Sequence, residues 1–160
     1  MKKQYILYPL KLLAVRLAFI LISVFFLIAF TWLLKIEYGF LYYSIATTIF
    51  CFGWVFNDSY STAERDIHAG RNVYPLKGAV LAGLAEIPTV ILLFWVLRSD
   101  NITVPNIVYA VWNAPFAGFL IPKGDIYSAP AIIFSYYLVP FFIPLITGIG
   151  YYSGMRHYEI

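Results

Sequence analysis

LAFILISVFFLIAFTWLL, residues 17–34, is a run of 18 residues without a charged side chain. A helix crosses the hydrocarbon core of a bilayer, about 30 Å thick, with about 20 mainly apolar residues, so this run predicts a membrane-spanning helix. Lys2 and Lys3 precede it, as basic residues precede a secretory signal. Such a signal has an apolar run of only about 7–15 residues and a small-residue cleavage site. We therefore expect this stretch to be retained as the first helix.

Composition predicts the same environment for the rest of the chain. Of its 160 residues, 62% are hydrophobic and 12% are charged, whereas soluble domains average about 25% charged residues. So few charges cannot cover a water-exposed surface, and a lipid bilayer is the expected partner. The net charge of +3 is too small to indicate nucleic acid. Cys51, the single cysteine, lies in an apolar run and is expected to pack in the interior.

Four segments are long and apolar enough to cross a membrane: residues 12–34, 38–56, 78–97 and 131–152. They predict an all-α integral membrane protein with one domain and four transmembrane helices. Residues 57–77 would then form a cytoplasmic loop and residues 98–130 an outer loop. The short connection at residues 35–37 predicts that the first two spans form an antiparallel hairpin.

A further apolar segment lies in the outer loop. Residues 107–121 are apolar apart from Asn113, but this run has 15 residues and Pro115 interrupts it. That is short for a span, and interrupted helices are tolerated at membrane depth only where protein covers them. We therefore predict an interfacial or re-entrant segment here. The alternative is a fifth crossing, which would place the C-terminus outside.

The distribution of Lys and Arg predicts the orientation, because cytoplasmic loops carry an excess of these residues. With four spans and an internal N-terminus, three basic residues fall outside: Lys35, Arg98 and Lys123. Eight fall on the cytoplasmic side: Lys2, Lys3, Lys11, Arg16, Arg65, Arg71, Lys77 and Arg156. We expect a multi-pass protein of the plasma (inner) membrane with both termini in the cytoplasm.

Small residues at helical spacing predict where helices pack, because close backbone approach favours helix association in lipid. The fourth span carries the pair Gly150 and Gly154. The third span carries Ala79, Ala82 and Gly83 on one face. These faces either pack within one bundle or mediate contact with a second copy or a larger membrane complex.

Glu86 is the one carboxylate inside a predicted span. It lies nine positions past Lys77, which is roughly 13 Å along a helix, and an ionised carboxylate at such a depth is costly. One hypothesis is an ion or substrate site that includes Glu86 and Arg16, in which Glu86 changes its charge. The other is a structural role, with Glu86 protonated and hydrogen-bonded or paired with Arg16 in the same leaflet.

The predicted cytoplasmic loop concentrates polar residues. Five of them are candidate interaction residues: Glu64, Arg65, Asp66, His68 and Arg71. Ser61 or Thr62 is expected to cap a short helix. On that helix Glu64 and His68 would lie four residues apart, a spacing that suits a metal ion. His157 would have to join them, and because two ligands do not make a site, we predict an interaction surface and no metal.

Several short motifs follow one another in this region: Ala63-Glu64-Arg65-Asp66, Gly70-Arg71, Lys77-Gly78 and Glu86-Ile87-Pro88. Together they resemble a segment of uncharacterised small membrane proteins of Firmicutes, over residues 57–97. In those proteins a Gly-x-Arg-Asp-x-Asn stretch and a Gly-Arg pair precede a helix that contains Ile-Pro. This chain departs from them at Ala63 and His68, where they have Gly and Asn. The resemblance implies that the loop is important and implies no particular chemistry.

Three classes of function remain open. The one we favour is a non-enzymatic accessory or scaffold subunit of a membrane complex that acts through helix packing and the cytoplasmic loop. The second is a small homo-oligomeric ion-coupled transporter or channel that uses Glu86. The third, more remote, is a membrane enzyme with a metal site. The sequence contains no glycine-rich phosphate loop and no nucleophile elbow, and we predict no catalytic residue and no cofactor.

Overall fold

The computed structural model describes residues 4–29, 39–99, 103–120 and 129–158. All regular secondary structure in these ranges is helical. The helices are α1 (Gln4–Ala29), α2 (Gly39–His68), α3 (Lys77–Ala85), α4 (Ile87–Arg98), α5 (Thr103–Trp112), a 3₁₀ helix (Ala114–Phe116), α6 (Ala117–Leu120) and α7 (Ala129–His157). The predicted all-helical class is confirmed for this part of the chain.

Apolar helices of membrane-spanning length are present. Ile6–Phe26 within α1 and Tyr136–His157 within α7 are each long and apolar enough to cross a bilayer. Helices α3 and α4 meet the same requirement together, although they are bent by 50°. The described residues thus contain two such spans, or three if the bent pair is one span. Large apolar side chains such as Leu21 and Phe25 remain exposed on the helices, as expected for a surface that faces lipid.

Helix α2 is longer than the sequence suggested, and the predicted loop at residues 57–77 is corrected accordingly. The first twelve residues of that loop continue α2 to its end at His68. The hydroxyl groups of Ser59 and Thr62 donate to backbone carbonyls one turn earlier, each at 2.7 Å. These polar groups are therefore satisfied within the helix and do not end it. The connection between α2 and α3 is limited to residues 69–76.

Helices α1 and α7 also extend beyond their predicted spans. Helix α1 begins eight residues before the predicted span at 12–34. The last part of that span, beyond residue 29, and the predicted turn at 35–37 lie outside the described residues. Helix α7 continues the predicted span at 131–152 as far as His157. The last turn of α7 carries Arg156 and His157, whereas the start of α1 is mainly apolar and belongs to the candidate span Ile6–Phe26.

The third predicted span, residues 78–97, is interrupted at Glu86. This residue ends α3, and its backbone N–H bonds to the carbonyls of Ala82 (3.0 Å) and Gly83 (3.1 Å). Pro88 follows as the second residue of α4. Proline has no N–H to donate, and its ring clashes with the carbonyl four residues earlier in a continuous helix. The 50° bend between α3 and α4 is the result.

The chain divides into two compact units, which are described separately. The first unit comprises Met1–Leu13, Phe52–Ile87 and Phe141–Ile160, and the second comprises Ala14–Cys51 and Pro88–Pro140. The first unit has a buried apolar core, formed by Tyr8, Leu12, Leu81, Ala82 and Ala85. This core packs the start of α1 against α3.

Glycines of α7 make close helix contacts in the first unit. A Cβ atom added to Gly154 would lie 2.6 Å from the carbonyl oxygen of Tyr60 on α2. A Cβ atom added to Gly150 would meet the Oγ atom of Ser59 and lie 2.6 Å from the carbonyl oxygen of Phe56. Because the opposing atoms are mostly backbone, they cannot easily move aside. The structure thus places both glycines of the predicted pair where α7 meets α2.

The small residues of α3 are divided between a packed and an open face. Ala82 is fully buried, and a Cβ atom added to Gly148 of α7 would lie 3.0 Å from that of Ala79. Gly78, which was not among the predicted packing residues, approaches α7 more closely, because a Cβ atom there would lie 2.5 Å from the Cβ of Tyr151. Gly83 differs, since a Cβ atom added to it would meet no described atom within 4 Å. The described residues therefore leave open space beside Gly83.

The predicted interfacial or re-entrant segment at residues 107–121 belongs to the second unit and is broken at Asn113, between α5 and the 3₁₀ helix. The carbonyl oxygen of Pro115 accepts hydrogen bonds from the hydroxyl groups of Thr47 (2.9 Å) and Thr48 (3.0 Å) on α2. These bonds hold the 3₁₀ helix against α2. The interfacial or re-entrant location stays a prediction, and the last residue of the segment lies outside the described residues.

Candidate functional site at the end of helix α2

Helix α2 ends in a turn that glycine adopts without strain. Gly70 has a φ of 60°, in the left-handed region that other residues rarely enter. Its N–H bonds to the carbonyl of Ile67 (2.9 Å), and the N–H of Arg71 bonds to the carbonyl of Asp66 (2.9 Å). This is the Schellman pattern of helix ends. It returns the chain so that Arg71 lies beside the last turn of α2.

Asp66 is the centre of a buried polar cluster in the first unit. Its carboxylate accepts hydrogen bonds from Nζ of Lys77 at 2.7 Å and from Nη1 of Arg71 at 3.1 Å. The hydroxyl group of Tyr151 donates a third at 3.0 Å. Asp66 is 4% exposed and Lys77 is 2% exposed, and Lys77 also donates to the carbonyl oxygen of Asn72 at 2.8 Å. We call Asp66, Arg71, Lys77 and Tyr151 the Asp66 cluster; it joins α2, the following turn, α3 and α7.

The surroundings of Asp66 favour its charged form. Burial alone would raise the pKa of this carboxyl, because it disfavours charge. The hydrogen bonds from Lys77, Arg71 and Tyr151 outweigh burial and hold the pKa below its ordinary value of 3.8. Asp66 is therefore ionised at neutral pH. Its negative charge balances the buried ammonium of Lys77, while the side chain of Arg71 remains 48% exposed.

A second ion pair links α1 to α2 next to this cluster. Nζ of Lys11 lies 2.5 Å from Oδ1 of Asp58. The side chain of Lys11 is 42% exposed, so water screens this pair and its contribution to stability is small. Its main effect is to hold a positive charge of α1 beside the polar end of α2.

The last described residues of the chain lie against the end of α2. The hydroxyl group of Tyr158 donates a hydrogen bond to the carboxylate of Glu64, which raises the pKa of Tyr158 to about 12. Its ring packs edge-on against His68 and His157, with centroids 5.3 Å apart in each case. Tyr158 thus contacts all three residues that the metal-site hypothesis requires. Among the described residues, no group of three or more His, Cys, Asp or Glu side chains could hold a metal ion.

The Asp66 cluster contains two predicted interaction residues, Asp66 and Arg71, and two that sequence reasoning missed. Lys77 was expected only as a basic residue at the start of a span. Tyr151 lies in the predicted fourth span, residues 131–152, and no functional role was predicted for it. One signal in the sequence pointed to Lys77, because Asp66 and Lys77 are opposite charges on the two sides of the Gly70-Arg71 pair. No local signal marks Tyr151, which comes from a distant helix.

The two residues of the predicted ion or substrate site belong to different units. Glu86, in the first unit, is buried at the end of α3. Arg16, in the second unit, donates a hydrogen bond to Oδ1 of Asn113, and its guanidinium lies 5.3 Å from the ring centroid of Trp112. Asn113 is fully buried and was not predicted as a partner of Arg16. The pairing of Arg16 with Glu86 stays a prediction.

No protein-family model, curated protein or solved structure matches the chain. The resemblance of residues 57–97 to small membrane proteins of Firmicutes stays a prediction. A function for this chain therefore has to be inferred from its own geometry and chemistry.

Proposed function

We propose that the chain is a multi-pass protein of a bacterial inner membrane, with four spans and both termini in the cytoplasm. Helices α1 and α7 and the bent pair α3–α4 have the required length and apolarity. Helix α2, with 30 residues, carries no charge between residues 39 and 56. The first unit contains the beginnings of α1 and α3 and the ends of α2 and α7, as expected for spans that alternate in direction. Its basic residues favour the cytoplasmic side.

The function that we propose within this membrane is that of a non-enzymatic accessory or scaffold subunit with an ordered cytoplasmic docking surface. The observation that carries the proposal is the Asp66 cluster. A buried ion pair contributes little net stability compared with apolar packing, but breaking it is costly, so it holds one geometry. Here it fixes the last turn of α2 and the turn that follows. Side chains next to the cluster are thereby presented outward in a defined arrangement.

The docking surface consists of His68, Asn72 and Leu76, which are exposed on the end of α2 and on the following turn. Leu76 is a large, exposed apolar side chain, and His68 and Asn72 are polar. An apolar group with a polar rim is the usual make-up of a protein contact. Because the turn is tied to the Asp66 cluster, a partner that binds here does not have to order it first, which lowers the entropic cost of binding.

The triple variant His68→Ala, Asn72→Ala, Leu76→Ser tests this docking surface. Asn72 contributes to the cluster through its backbone carbonyl, so the variant keeps those hydrogen bonds. We expect any partner that co-purifies with the wild-type protein from mild detergent to be reduced about tenfold or more, which corresponds to a loss of about 1.4 kcal/mol. Yield and thermal unfolding should stay the same.

Arg98→Gln is the matched control, because Arg98 lies at the end of α4 that we assign to the outer side. It should leave the co-purifying partner unchanged. A triple variant that retains the full set of partners, measured by quantitative mass spectrometry, would argue against an accessory function through this surface.

The position of Glu86 supports a second candidate function, a small homo-oligomeric ion-coupled transporter or channel. Glu86 is buried at the break between α3 and α4. Helices that are interrupted at membrane depth form the ion and substrate sites of many transporters. An ionisable side chain inside a span is a functional-site candidate because its presence there is costly.

Purified protein in liposomes tests this second function. Wild-type protein should carry protons or sodium ions down an imposed gradient, and Glu86→Gln should reduce this flux by about tenfold because it removes the charge while keeping the shape. Glu64→Gln, outside the spans, is the matched control and should leave the flux unchanged. A wild-type flux equal to that of empty liposomes would contradict transport and leave the accessory function standing.

A further inference from the structure

A cavity of ≈ 230 Å³ lies next to the Asp66 cluster in the first unit. Four basic residues line it, namely Lys11, Arg65, Arg71 and Lys77. The other lining residues are Leu7, Tyr8, Thr62, Asp66 and Leu81. Asp66 is the one carboxylate among them, and Asp58 lies close by, paired with Lys11, so the excess positive charge of the cavity comes from its two arginines.

Tyr8 gives this cavity an unused hydrogen-bond donor. Its side chain is 8% exposed, and its hydroxyl group lies near the side chain of Thr62 but makes no hydrogen bond of regular geometry among the described residues. Buried polar groups are nearly always paired, because leaving one unpaired costs free energy. A tyrosine hydroxyl that lines a cationic cavity is well placed to donate to an anion there.

Two of the basic side chains also retain donors. Nη1 of Arg71 binds Asp66, and Nε of Arg65 binds the carbonyl oxygen of Ser61 at 3.0 Å. A guanidinium has five N–H donors in a planar fork. Both arginines can therefore keep these bonds and still bind an oxyanion. The two lysines of the cavity are paired with carboxylates, so we do not assign them to the ligand.

We propose that this cavity binds the phosphate group of an anionic ligand through Tyr8, Arg65 and Arg71. The guanidinium fork matches the geometry of phosphate oxygens, and charge-assisted hydrogen bonds of this kind are strong. Sites for drug-sized molecules usually enclose roughly 300–1,000 Å³, so this smaller cavity suits a phosphate group and little more.

Two ligands offer this chemistry, the headgroup of an anionic phospholipid and free phosphate. Basic pockets between transmembrane helices on the cytoplasmic side recognise lipid headgroups. Leu7 lines the cavity and is also exposed, so an acyl chain could lie against it. The lipid source requires the membrane orientation proposed above, whereas phosphate binding does not.

Binding of phosphatidylglycerol and phosphatidylcholine, measured by native mass spectrometry of the protein in nonionic detergent, tests the lipid source. We expect wild-type protein to prefer phosphatidylglycerol by about tenfold, because the choline cation of the other lipid is repelled by the arginines, and Arg65→Gln and Tyr8→Phe each to weaken binding of phosphatidylglycerol by about fivefold. Arg156→Gln is the matched control, because it removes an exposed positive charge from α7 that does not line the cavity. It should leave the binding of both lipids unchanged.

Calorimetric titration with sodium phosphate tests the other source. Saturable phosphate binding that Arg65→Gln and Tyr8→Phe weaken assigns the cavity to free phosphate, and a lipid preference without phosphate binding assigns it to a headgroup. The proposal is overturned if neither ligand is bound selectively, or if Arg156→Gln weakens binding as much as Arg65→Gln, since net charge alone would then explain it. Circular dichroism checks folding, and Tyr8→Phe decides alone if Arg65→Gln is unfolded.

Discussion

Asp66 accepts hydrogen bonds from side chains that lie 5, 11 and 85 positions away along the chain. The sequence predicts that this acidic and basic region interacts, because charges cluster there. It does not predict which residues pair, because pairing depends on where α2 ends and how the chain turns at Gly70. The partner from α7 is predicted least well, since no local pattern distinguishes a buried tyrosine from one in an aromatic belt.

At the residue scale, Asp66→Asn should destabilise the protein by about 3–5 kcal/mol, the usual cost of leaving a buried charge without its partner. The uncompensated charge is the ammonium of Lys77. Unfolding by denaturant in detergent micelles measures the loss. Asp58→Asn is the matched control, because its partner Lys11 is partly exposed, and it should cost less than about 1 kcal/mol. Equal losses in the two variants would contradict the structural importance of the Asp66 cluster.

The lowered pKa of Asp66 predicts a loss of stability in acid. Because the folded-state pKa lies below the ordinary value of 3.8, the unfolded chain binds the proton first as the pH falls. The stability that the ionised carboxylate of Asp66 contributes is complete well above the ordinary pKa and is lost as the pH falls through the folded-state pKa. The stability difference between wild-type protein and Asp66→Asn should therefore shrink from about pH 6 to about pH 3. A difference independent of pH over this range would disprove the linkage.

At the scale of elements, apolar length predicts that a helix exists but not where it ends. Helices α1, α2 and α7 all extend beyond the predicted spans, α1 through further apolar residues and α2 and α7 through polar turns. The interruption at Glu86 follows from Pro88, a residue whose effect on a helix is fixed by its covalent structure. Pro115 likewise predicts the break at Asn113, whereas the hydrogen bonds from Thr47 and Thr48 to its carbonyl oxygen cannot be predicted from the segment itself.

The close packing of Gly150 against α2 and the open space beside Gly83 on α3 predict different effects of the same substitution. Gly150→Ala should destabilise the protein by about 1–3 kcal/mol, because the added methyl group overpacks against Ser59 and Phe56. Gly83→Ala should leave stability unchanged or raise it by up to about 1 kcal/mol, because it meets open space and alanine favours helix. Thermal unfolding in detergent compares them. If Gly150→Ala were as well tolerated as Gly83→Ala, α7 could not pack as closely as described.

At the scale of the whole molecule, composition alone indicates the lipid environment, and the structure supports two or three spans of sufficient length and apolarity. The fourth span and the sidedness rest on the distribution of charge. Packing does not reveal them, because the interior of a bilayer and the interior of a protein are similarly apolar. An apolar helix face that is exposed in a single chain is compatible with contact to lipid and with contact to another protein.

Labelling of single cysteines with a membrane-impermeant maleimide tests this topology in a Cys51→Ser background. Asn72→Cys should react in inside-out vesicles and Arg98→Cys in right-side-out vesicles, because α3 and α4 together cross the bilayer in the proposed arrangement. Arg156→Cys should behave like Asn72→Cys. If Arg156→Cys reacted from the outside instead, residues 107–121 would be a fifth crossing.

The Asp66 cluster is completed late in translation. Lys77 leaves the ribosome soon after Asp66, but Tyr151 follows Lys77 by 74 residues, which takes roughly 4–15 s at about 5–20 residues per second. During that interval both members of the ion pair have been synthesised and the phenol of Tyr151 has not. Helix α7 can therefore add its hydrogen bond to Asp66 only several seconds after the carboxylate and the ammonium group are available to each other.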